Sequence, residues 1–289
     1  MQIKFSALCI IFSVFLISCK EEDHGILNKK DAPVALKDTS YISSDNLSSV
    51  FKKVLLEDIT GVKCVNCPKA AEESVRLKEK YGDTIIPMAI YIKSLPIYST
   101  PWGDGNPDLR TDVAEEIANA IGMPVGLPGG YVDRFKFGAS APLVINQWEN
   151  SYKQRTGLSP VIITLSYEVA PNNKIIVRTK LFYTEDKSNE NHKLALYFTE
   201  SGLIGKQSTN EPGKSPYIEH YEFNHVLRGS IGNALGARLE EPLVKGRVFE
   251  KDFEIDWNKD WNISKCTLIA VVLDESDNSV IQVEEILLH

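Results

Sequence analysis

Short apolar runs of strand length alternate with stretches bounded by helix start and stop signals between residues 50 and 156. Pro68 stands in the first turn of one such stretch and Gly82 follows its end, while Thr111 caps another. Strands that alternate with helices predict a mostly parallel or mixed sheet covered by helices. The predicted strands are 54–59, 85–92 and 131–137, and the predicted helices are 68–81, 111–121 and 141–155.

The hydrophobic period changes to two after Gly157, which is typical of half-buried strands. Residues 161–169 and 174–182 flank the turn Pro171-Asn172-Asn173 and predict a hairpin. Several short strands with almost no helical period predict an immunoglobulin-like β-sandwich. Two segments rich in Gly and Pro predict irregular structure: an insertion at 93–110 and one long loop region at 201–247. The remaining predicted strands are 194–199, 248–255, 266–274 and 280–287.

The first 48 residues predict an export signal and a tether rather than part of the fold. Lys4 precedes an apolar stretch over 5–17, which is the pattern of a secretory signal peptide over 1–18. The stretch is too short for a transmembrane helix, which needs about 20 apolar residues. Residues 19–48 are polar, and we expect them to form a tether that holds the folded part away from a membrane.

Leu16-Ile17-Ser18-Cys19 resembles the lipobox of bacterial lipoproteins. That resemblance implies acylation of Cys19, with palmitate among the chains, and anchoring of the protein to a membrane through the lipid. An ordinary secretory signal with a chance Cys is the alternative. Lys20-Glu21-Glu22-Asp23 resembles the surface-export tag of Bacteroidota lipoproteins, with a solvated linker as its alternative. We therefore expect an outer-membrane protein at the cell surface, with the periplasmic face as the other possible location.

Composition narrows the possible partners. The chain has 289 residues, of which 43% are hydrophobic and 25% charged, as in ordinary globular proteins. The net charge of -7 argues against nucleic acid, whose phosphates need a concentrated basic face. No Gly-rich phosphate loop, HExxH or GxSxG motif is present, so the sequence predicts no cofactor and no hydrolase.

The five cysteines divide into groups with different expected chemistry. Cys9 leaves with the signal peptide and Cys19 carries the lipid. Cys266 lies in an apolar run of strand character, which predicts a buried and inert thiol. Cys64 and Cys67 form a CxxC pair between a predicted strand and a predicted helix.

Three kinds of chemistry are open to this CxxC pair. Zinc needs four ligands, and neither a second CxxC nor a spaced Cys/His pair exists, so no metal is expected. A structural disulfide suits an oxidising compartment. A redox-active pair suits the helix N-terminus, whose backbone N–H groups favour a thiolate on Cys64, with Lys63 as a nearby cation.

The segment around the pair resembles thioredoxin. Asp58 precedes Cys64 by six residues, the spacing at which thioredoxins hold a buried Asp that helps to move the proton of the second Cys. The resemblance also implies a cis-proline that faces the thiols; Pro128 is the candidate and Pro124 the alternative. The sequence departs from thioredoxin at Lys63, which replaces a Trp, and at Val65-Asn66, which replaces Gly-Pro.

The whole layout resembles the outer-membrane-protein-28-related lipoproteins of Bacteroidota. The residues that carry this resemblance are the lipobox at Cys19, the run 55–61 that leads into 64–68, the loop 128–134 and the segment 223–229. The family implies an outer-membrane or surface location, and an α/β thioredoxin-like domain followed by an all-β immunoglobulin-like sandwich domain. It implies no settled activity, because its members have been treated as adhesins or surface antigens.

Two functional hypotheses follow for a chain divided into a thioredoxin-like domain at 49–156 and a sandwich at 157–289. In the first, the protein is a thiol–disulfide oxidoreductase that acts on a protein client. Cys64 is then the nucleophile, Cys67 the resolving thiol, Asp58 the proton relay and Pro128 part of the partner groove. In the second, the protein is a non-catalytic adhesion or binding module for a surface ligand, and Cys64–Cys67 is a structural disulfide. A redox site needs Cys64 to be partly exposed, whereas a structural disulfide does not.

Aromatic residues in the Gly/Pro-rich segments and two histidines offer further candidate contacts. Flat rings in loops can stack on sugars or peptides, although they pack against their own domain at least as often. For the histidines, a polar strand end or loop is the favoured interpretation over a binding edge. These residues are Tyr98, Trp102, Tyr217, Tyr221, His220 and His225.

Overall fold

The structure of the chain is a computed structural model that describes residues 33–103, 105–137, 142–213 and 215–289. The predicted signal peptide, the lipidation site Cys19 and the export tag lie outside the described residues. Among the helices that are described, none is both long enough and apolar enough to cross a membrane.

The described residues form mostly β-strands with few helices. The strands are β1 (Val34–Ile42), β2 (Val50–Phe51), β3 (Val54–Thr60), β4 (Ile85–Tyr91), β5 (Gly129–Val132), β6 (Leu158–Ser159), β7 (Val161–Ala170), β8 (Lys174–Tyr183), β9 (His192–Glu200), β10 (Leu203–Ser208), β11 (Tyr217–Phe223), β12 (Val226–Ser230), β13 (Ala237–Arg238), β14 (Arg247–Asp256), β15 (Cys266–Asp274) and β16 (Val280–Leu287). The helices are α1 (Cys67–Tyr81), α2 (Pro96–Ser99), α3 (Asp112–Ile121) and α4 (Trp148–Arg155). Short 3-10 turns lie at Gly82–Thr84, Ile145–Gln147 and Ile263–Lys265.

A large mixed sheet runs through the molecule in the order β16-β15-β9-β12-β4-β3-β5, with β13 beside β9. β3 and β4 are parallel, as are β4 and β12, whereas β5 is antiparallel to β3. The junction between β4 and β12 is short: Val226 pairs with Ala89, and the Ala89 amide donates to the His225 carbonyl at 2.8 Å. Strands from both sides of residue 157 therefore share one sheet.

A smaller sheet, in the order β1-β14-β8-β7, packs on the part of the large sheet that contains β9 and β15. Alternate residues of the strands face this shared core, because side chains of a strand alternate between its two faces. Val177 and Leu181 of β8 lie there with Phe198 of β9 and Leu268 of β15, all fully buried. Strand pairing is therefore the main element of the part of the chain that the structure describes.

Helices cover both faces of the large sheet where β3 lies. Leu56 faces α1 and α4, and packs with Leu77 and Trp148. Leu55 faces the other way and packs with Ile117 of α3. Every residue of β3 is buried, so its carboxyl end delivers Asp58 and the CxxC segment into the interior.

Two parts of the predicted organisation are corrected by the structure. The predicted tether over 19–48 is wrong for residues 34–42, because β1 pairs antiparallel with β14, from Val34 opposite Glu254 to Ile42 opposite Arg247. Its side chains are mostly exposed, so backbone pairing at a sheet edge leaves little hydrophobic pattern to detect. The predicted loop over 201–247 is also wrong, since it holds β10, β11, β12 and β13.

Two element boundaries also differ from the expectation. The predicted strand over 131–137 is β5, which ends at Val132, because Asp133 and Arg134 adopt left-handed backbone conformations with φ of 55° and 53°. The predicted closing helix over 141–155 is a 3-10 turn followed by α4, which begins only at Trp148. The predicted strands over 266–274 and 280–287 are present with the predicted ends, and the other predicted strands and helices are present with shifted ends.

Candidate functional site

A disulfide joins Cys64 to Cys67 at the start of α1, with the two Cα atoms 5.4 Å apart. The turn before it is tight: the Cys64 amide donates to the Gly61 carbonyl at 3.0 Å, and the Cys67 amide donates to the Cys64 carbonyl at 3.2 Å. Gly61 is required here, because a Cβ would lie 2.6 Å from the Tyr98 carbonyl oxygen. Pro68 occupies the first turn of α1 as predicted.

Both half-cystines are buried. Cys64 is 2% exposed and Cys67 is 3% exposed. Two segments that are distant in sequence bond to the CxxC turn from outside. The Lys63 amide donates to the Tyr98 carbonyl in the predicted insertion at 2.7 Å, and the Ser208 amide at the end of β10 donates to the Val62 carbonyl at 2.9 Å.

Gln207 anchors the β10–β11 hairpin on the disulfide turn. Its side-chain amide is buried and donates to the carbonyls of Cys64 at 3.0 Å, Ser208 at 3.0 Å and Gly61 at 3.3 Å. Next to it, the Asn210 side-chain amide donates to the Asn66 side-chain oxygen at 2.7 Å. Gln207 was missed by sequence reasoning, because a lone Gln in a predicted loop belongs to no motif.

Aromatic side chains join the insertion to the hairpin on the outside of this contact. The rings of Trp102 and Tyr217 meet edge to face, with centroids 5.1 Å apart. The Lys206 ammonium lies 4.2 Å from the Tyr217 centroid and 5.2 Å from that of Trp102, and Lys63 lies 5.0 Å from Trp102 on its own side. Cation–π contacts of this kind stabilise exposed sites by about 0.5–1 kcal/mol each. These loop aromatics therefore pack on each other and help to keep the disulfide covered.

Asp58 lies in β3 and its side chain is buried. Its Oδ1 has no hydrogen-bond donor among the described residues. Burial alone raises the pKa of the Asp58 carboxyl from 3.8 to about 8, because the charged form is desolvated. At neutral pH this carboxyl is therefore mostly protonated and uncharged. The buried Asp that the resemblance to thioredoxin implies is therefore present, while its role as a proton relay stays a prediction.

A cavity of about 420 Å³ connects Asp58 and Cys67 to the space between α1 and the β10–β11 hairpin. Its walls are largely apolar, with Val75 of α1 and Phe223 of β11 among them. His225 also lines it, with a left-handed backbone at φ 55°. Burial and the positive charge of Lys78 lower the pKa of His225 to about 4, so this imidazole is neutral at pH 7.

The Leu127–Pro128 peptide bond is cis, so the predicted cis-proline is Pro128 and not the alternative Pro124. The following residue, Gly129, pairs with Ile59 across β5 and β3. Pro128 therefore lies beside the end of β3 from which the CxxC segment departs. Its role in a partner groove stays a prediction.

Cys266 is a free thiol and is buried, as expected. Burial raises its pKa to about 12, so the reactive thiolate is not formed at neutral pH. One cluster in the described part of the chain has ligand atoms close enough for a metal ion: Glu190, His192 and Asp274. His192 is already held by Tyr183 at 2.8 Å and Glu190 at 3.0 Å, and its neutral form is favoured because burial lowers its pKa. A structural hydrogen-bond chain accounts for this cluster.

Comparison with protein families decides the relationship that the sequence suggested. The family described as outer membrane protein Omp28 matches residues 115–288. This chain belongs to the Omp28 family. The predicted recognition of this Bacteroidota family is confirmed, and the membership supports an outer-membrane lipoprotein. The matched region begins inside α3, so the CxxC pair lies before it. Among curated proteins, none matches the chain.

Solved structures give a second comparison for this Omp28 family member. HBP35 of Porphyromonas gingivalis superposes with a TM-score of 0.61 at 17% identity, over 84% of this chain and 77% of that one. That likeness shows a shared fold. Two weaker matches are a domain of the outer membrane lipoprotein Omp28 from Porphyromonas gingivalis and a protein from Agrobacterium tumefaciens. The first has 17% identity and a TM-score of 0.30 over 45% of this chain and 89% of that one. The second has 11% identity and a TM-score of 0.46 over 83% and 96%.

Proposed function

We propose that this Omp28 family member is a surface-displayed outer-membrane lipoprotein, anchored through a lipid on Cys19, that acts as a non-catalytic binding module. In this role the Cys64–Cys67 disulfide is structural. The observation that carries the proposal is the cover over the disulfide: both half-cystines are almost fully buried, and Gln207 bonds the β10–β11 hairpin onto their turn.

The cover matters because thiol–disulfide exchange needs access. A client thiolate must reach one sulfur of the disulfide directly before a mixed disulfide can form. Here the insertion contacts the CxxC turn through Tyr98 and the hairpin contacts it through Gln207 and Ser208. A protein client would therefore have to displace the hairpin, whereas a structural disulfide needs no such movement. The disulfide instead holds the start of α1 against the CxxC turn, which the β10–β11 hairpin contacts.

The fold proposed for this module is a thioredoxin-like half joined to an immunoglobulin-like sandwich. Support for the first half comes from the parallel β3 and β4, the antiparallel β5, the CxxC at the start of α1 and the cis bond at Pro128. Support for the second half comes from the smaller sheet facing β9 and β15. The domain boundary at 156/157 is part of the same proposal, although the large sheet passes across it.

A thiol–disulfide oxidoreductase is the second candidate, and Asp58 is the observation that favours it. A client thiolate would attack the sulfur of Cys64, and Cys67 would leave as a thiolate and take a proton from the neutral Asp58 carboxyl. A second client thiolate would then attack the client sulfur of the mixed disulfide and release Cys64. The client dithiol is oxidised to a disulfide and the Cys64–Cys67 pair is reduced by the same two electrons. Asp58 and Cys67 line the same cavity, so this proton transfer is geometrically supported.

Trapping of mixed disulfides separates the two candidates. Cys67→Ser leaves Cys64 as a free thiol that holds any client covalently. Cys64→Ser is the matched control, because it leaves only Cys67. Both are expressed as the full chain in the outer membrane and examined on non-reducing gels. We expect neither variant to trap clients. Clients bound by Cys67→Ser and not by Cys64→Ser would contradict the binding-module proposal.

A further inference from the structure

We propose that the cavity between α1 and the β10–β11 hairpin binds an organic cation with an apolar body, whose ammonium group pairs with the Asp58 carboxylate. The inference deepens the binding role proposed above and rests on it, because it names the ligand class that this face of the module would take. The cavity has a volume of about 420 Å³, which lies within the range of about 300–1,000 Å³ typical of small-molecule sites.

The first argument is the buried carboxyl itself. Asp58 is 5% exposed, lines the cavity, and has an Oδ1 atom with no donor among the described residues. Buried polar groups are normally hydrogen-bonded, so an unpartnered one in a native fold calls for an explanation. A ligand ammonium would supply both a donor and a compensating charge, and charge-assisted hydrogen bonds of this kind are the stronger ones.

The second argument is the shape and polarity of the walls. Ala71 and Val75 come from α1, Pro87 and Met88 from β4, and Phe223 from β11. A pocket with apolar walls and one convergent polar group is the usual arrangement of a small-molecule site. This combination selects a ligand with an apolar body and a single charged end.

The third argument is the charge around the cavity. Glu72 and Glu79 of α1 and Glu222 of β11 line the cavity together with Asp58, so four of the lining side chains are carboxylic acids. Arg76 is the one basic side chain of the lining, and its guanidinium donates to Glu73 at 2.7 Å and to Glu149 at 2.5 Å. Acidic side chains therefore outnumber the one paired Arg in this lining, and such an excess of one sign of charge concentrates ligands of the opposite sign.

The remaining titratable groups around Asp58 stay neutral near pH 7. Burial raises the pKa of Tyr91 on β4 well above its usual value and that of Tyr221 on β11 to about 12. His225 has its pKa lowered to about 4 and is likewise uncharged. Asp58 is then the group that changes charge when the cation enters: its proton is released to solvent as the carboxylate forms. Affinity should therefore rise with pH up to about 8, about tenfold per unit below that value.

Isothermal titration of the detergent-solubilised full chain with 2-phenylethylammonium tests the inference. 2-Phenylethanol serves as the uncharged analogue of nearly the same shape. At pH 8 we expect the ammonium to bind at least tenfold more tightly than the alcohol. The affinity for the ammonium should be about tenfold lower at pH 6 than at pH 7. Buffers of different ionisation enthalpy should report the release of about one proton per ligand at pH 7.

Two variants assign the effect to the carboxyl. Asp58→Asn keeps the shape of the side chain and should remove the tenfold preference for the ammonium while leaving the alcohol unaffected. Asp83→Asn is the matched control, because Asp83 lies in the exposed turn after α1 and does not line the cavity. This control should bind both compounds as the native chain does.

Equal binding of the two compounds, a preference that survives Asp58→Asn, or no binding of either compound would overturn the inference. These outcomes differ from failure of the proposed function. If Cys67→Ser traps clients while the ammonium still binds through Asp58, the non-catalytic role falls and the site remains. If nothing is trapped and nothing binds in the cavity, only the ligand proposal falls.

Discussion

Replacing Asp58 by Asn should stabilise the protein, and the gain should grow with pH. The pKa of this carboxyl is about 8 in the folded chain, against an ordinary value of 3.8. Between these values the folded protein keeps the proton while the unfolded chain loses it. The unfolded state therefore binds fewer protons, and stability falls as pH rises from about 4 to about 8. Asn carries no such charge and removes this loss.

The magnitude follows from the shift. Each pKa unit corresponds to about 1.4 kcal/mol, so a shift of about four units amounts to roughly 6 kcal/mol at pH 8 and above. Asp58 is only 5% exposed, so solvent screening removes little of it. At pH 4 the protonated acid and the amide are both neutral, and their difference should be small and constant.

Urea unfolding of the full chain with its disulfide intact measures this difference across pH 4 to 8. We expect the gain in free energy of unfolding from Asp58→Asn to rise by about 1.4 kcal/mol per pH unit and to level off above pH 8. Other titrating groups are common to both proteins and cancel in the difference. Asp83→Asn, in the exposed turn, should give no slope. A flat difference for Asp58→Asn would refute a buried neutral carboxyl at this position.

Three further predictions concern packing and burial. Gly130→Ala should destabilise the fold by at least about 3 kcal/mol in urea unfolding, because a Cβ there would overlap the buried Trp148 indole; unchanged stability would contradict this packing. Arg134→Met should cost about 3–5 kcal/mol, because it leaves Glu57, bonded to Arg134 at 2.7 Å and fully buried, without its partner. Adding Glu57→Gln should recover most of that loss in the same assay, and a double variant no better than the single one would count against it. Gln207→Ala should increase the rate at which a phosphine reduces the buried disulfide at least tenfold, as measured by quenching the reaction and mass spectrometry. An unchanged rate would show that the hairpin does not limit access to the disulfide.

Local features of the site could be predicted because each depends on residues close in sequence. The spacing of Asp58 and the CxxC pair is encoded within one short segment, and the choice of Pro128 within another. The hairpin of β7 and β8 could also be predicted from the sequence, because two strands with alternating apolar and polar residues flank a turn. In that turn Asn172 and Asn173 both have φ of 62°.

The cover over the disulfide could not be predicted, because it depends on pairing between distant segments. Gln207 reaches Cys64 across 143 positions of sequence, and nothing in its own neighbourhood marks it as buried. The same reason applies to β1, whose partner β14 lies more than 200 residues away and whose side chains are mostly exposed. Exposure of a CxxC pair is therefore a tertiary property, although the motif itself is local.

The central claim is that the Cys64–Cys67 disulfide is structural, and its reduction potential tests this most directly. Equilibration of the full chain with dithiol buffers, acid quenching and mass spectrometry give that potential. The account predicts a value below about −300 mV, as for structural disulfides. A value between about −120 and −270 mV, the range of catalytic dithiols, would contradict it and favour the oxidoreductase.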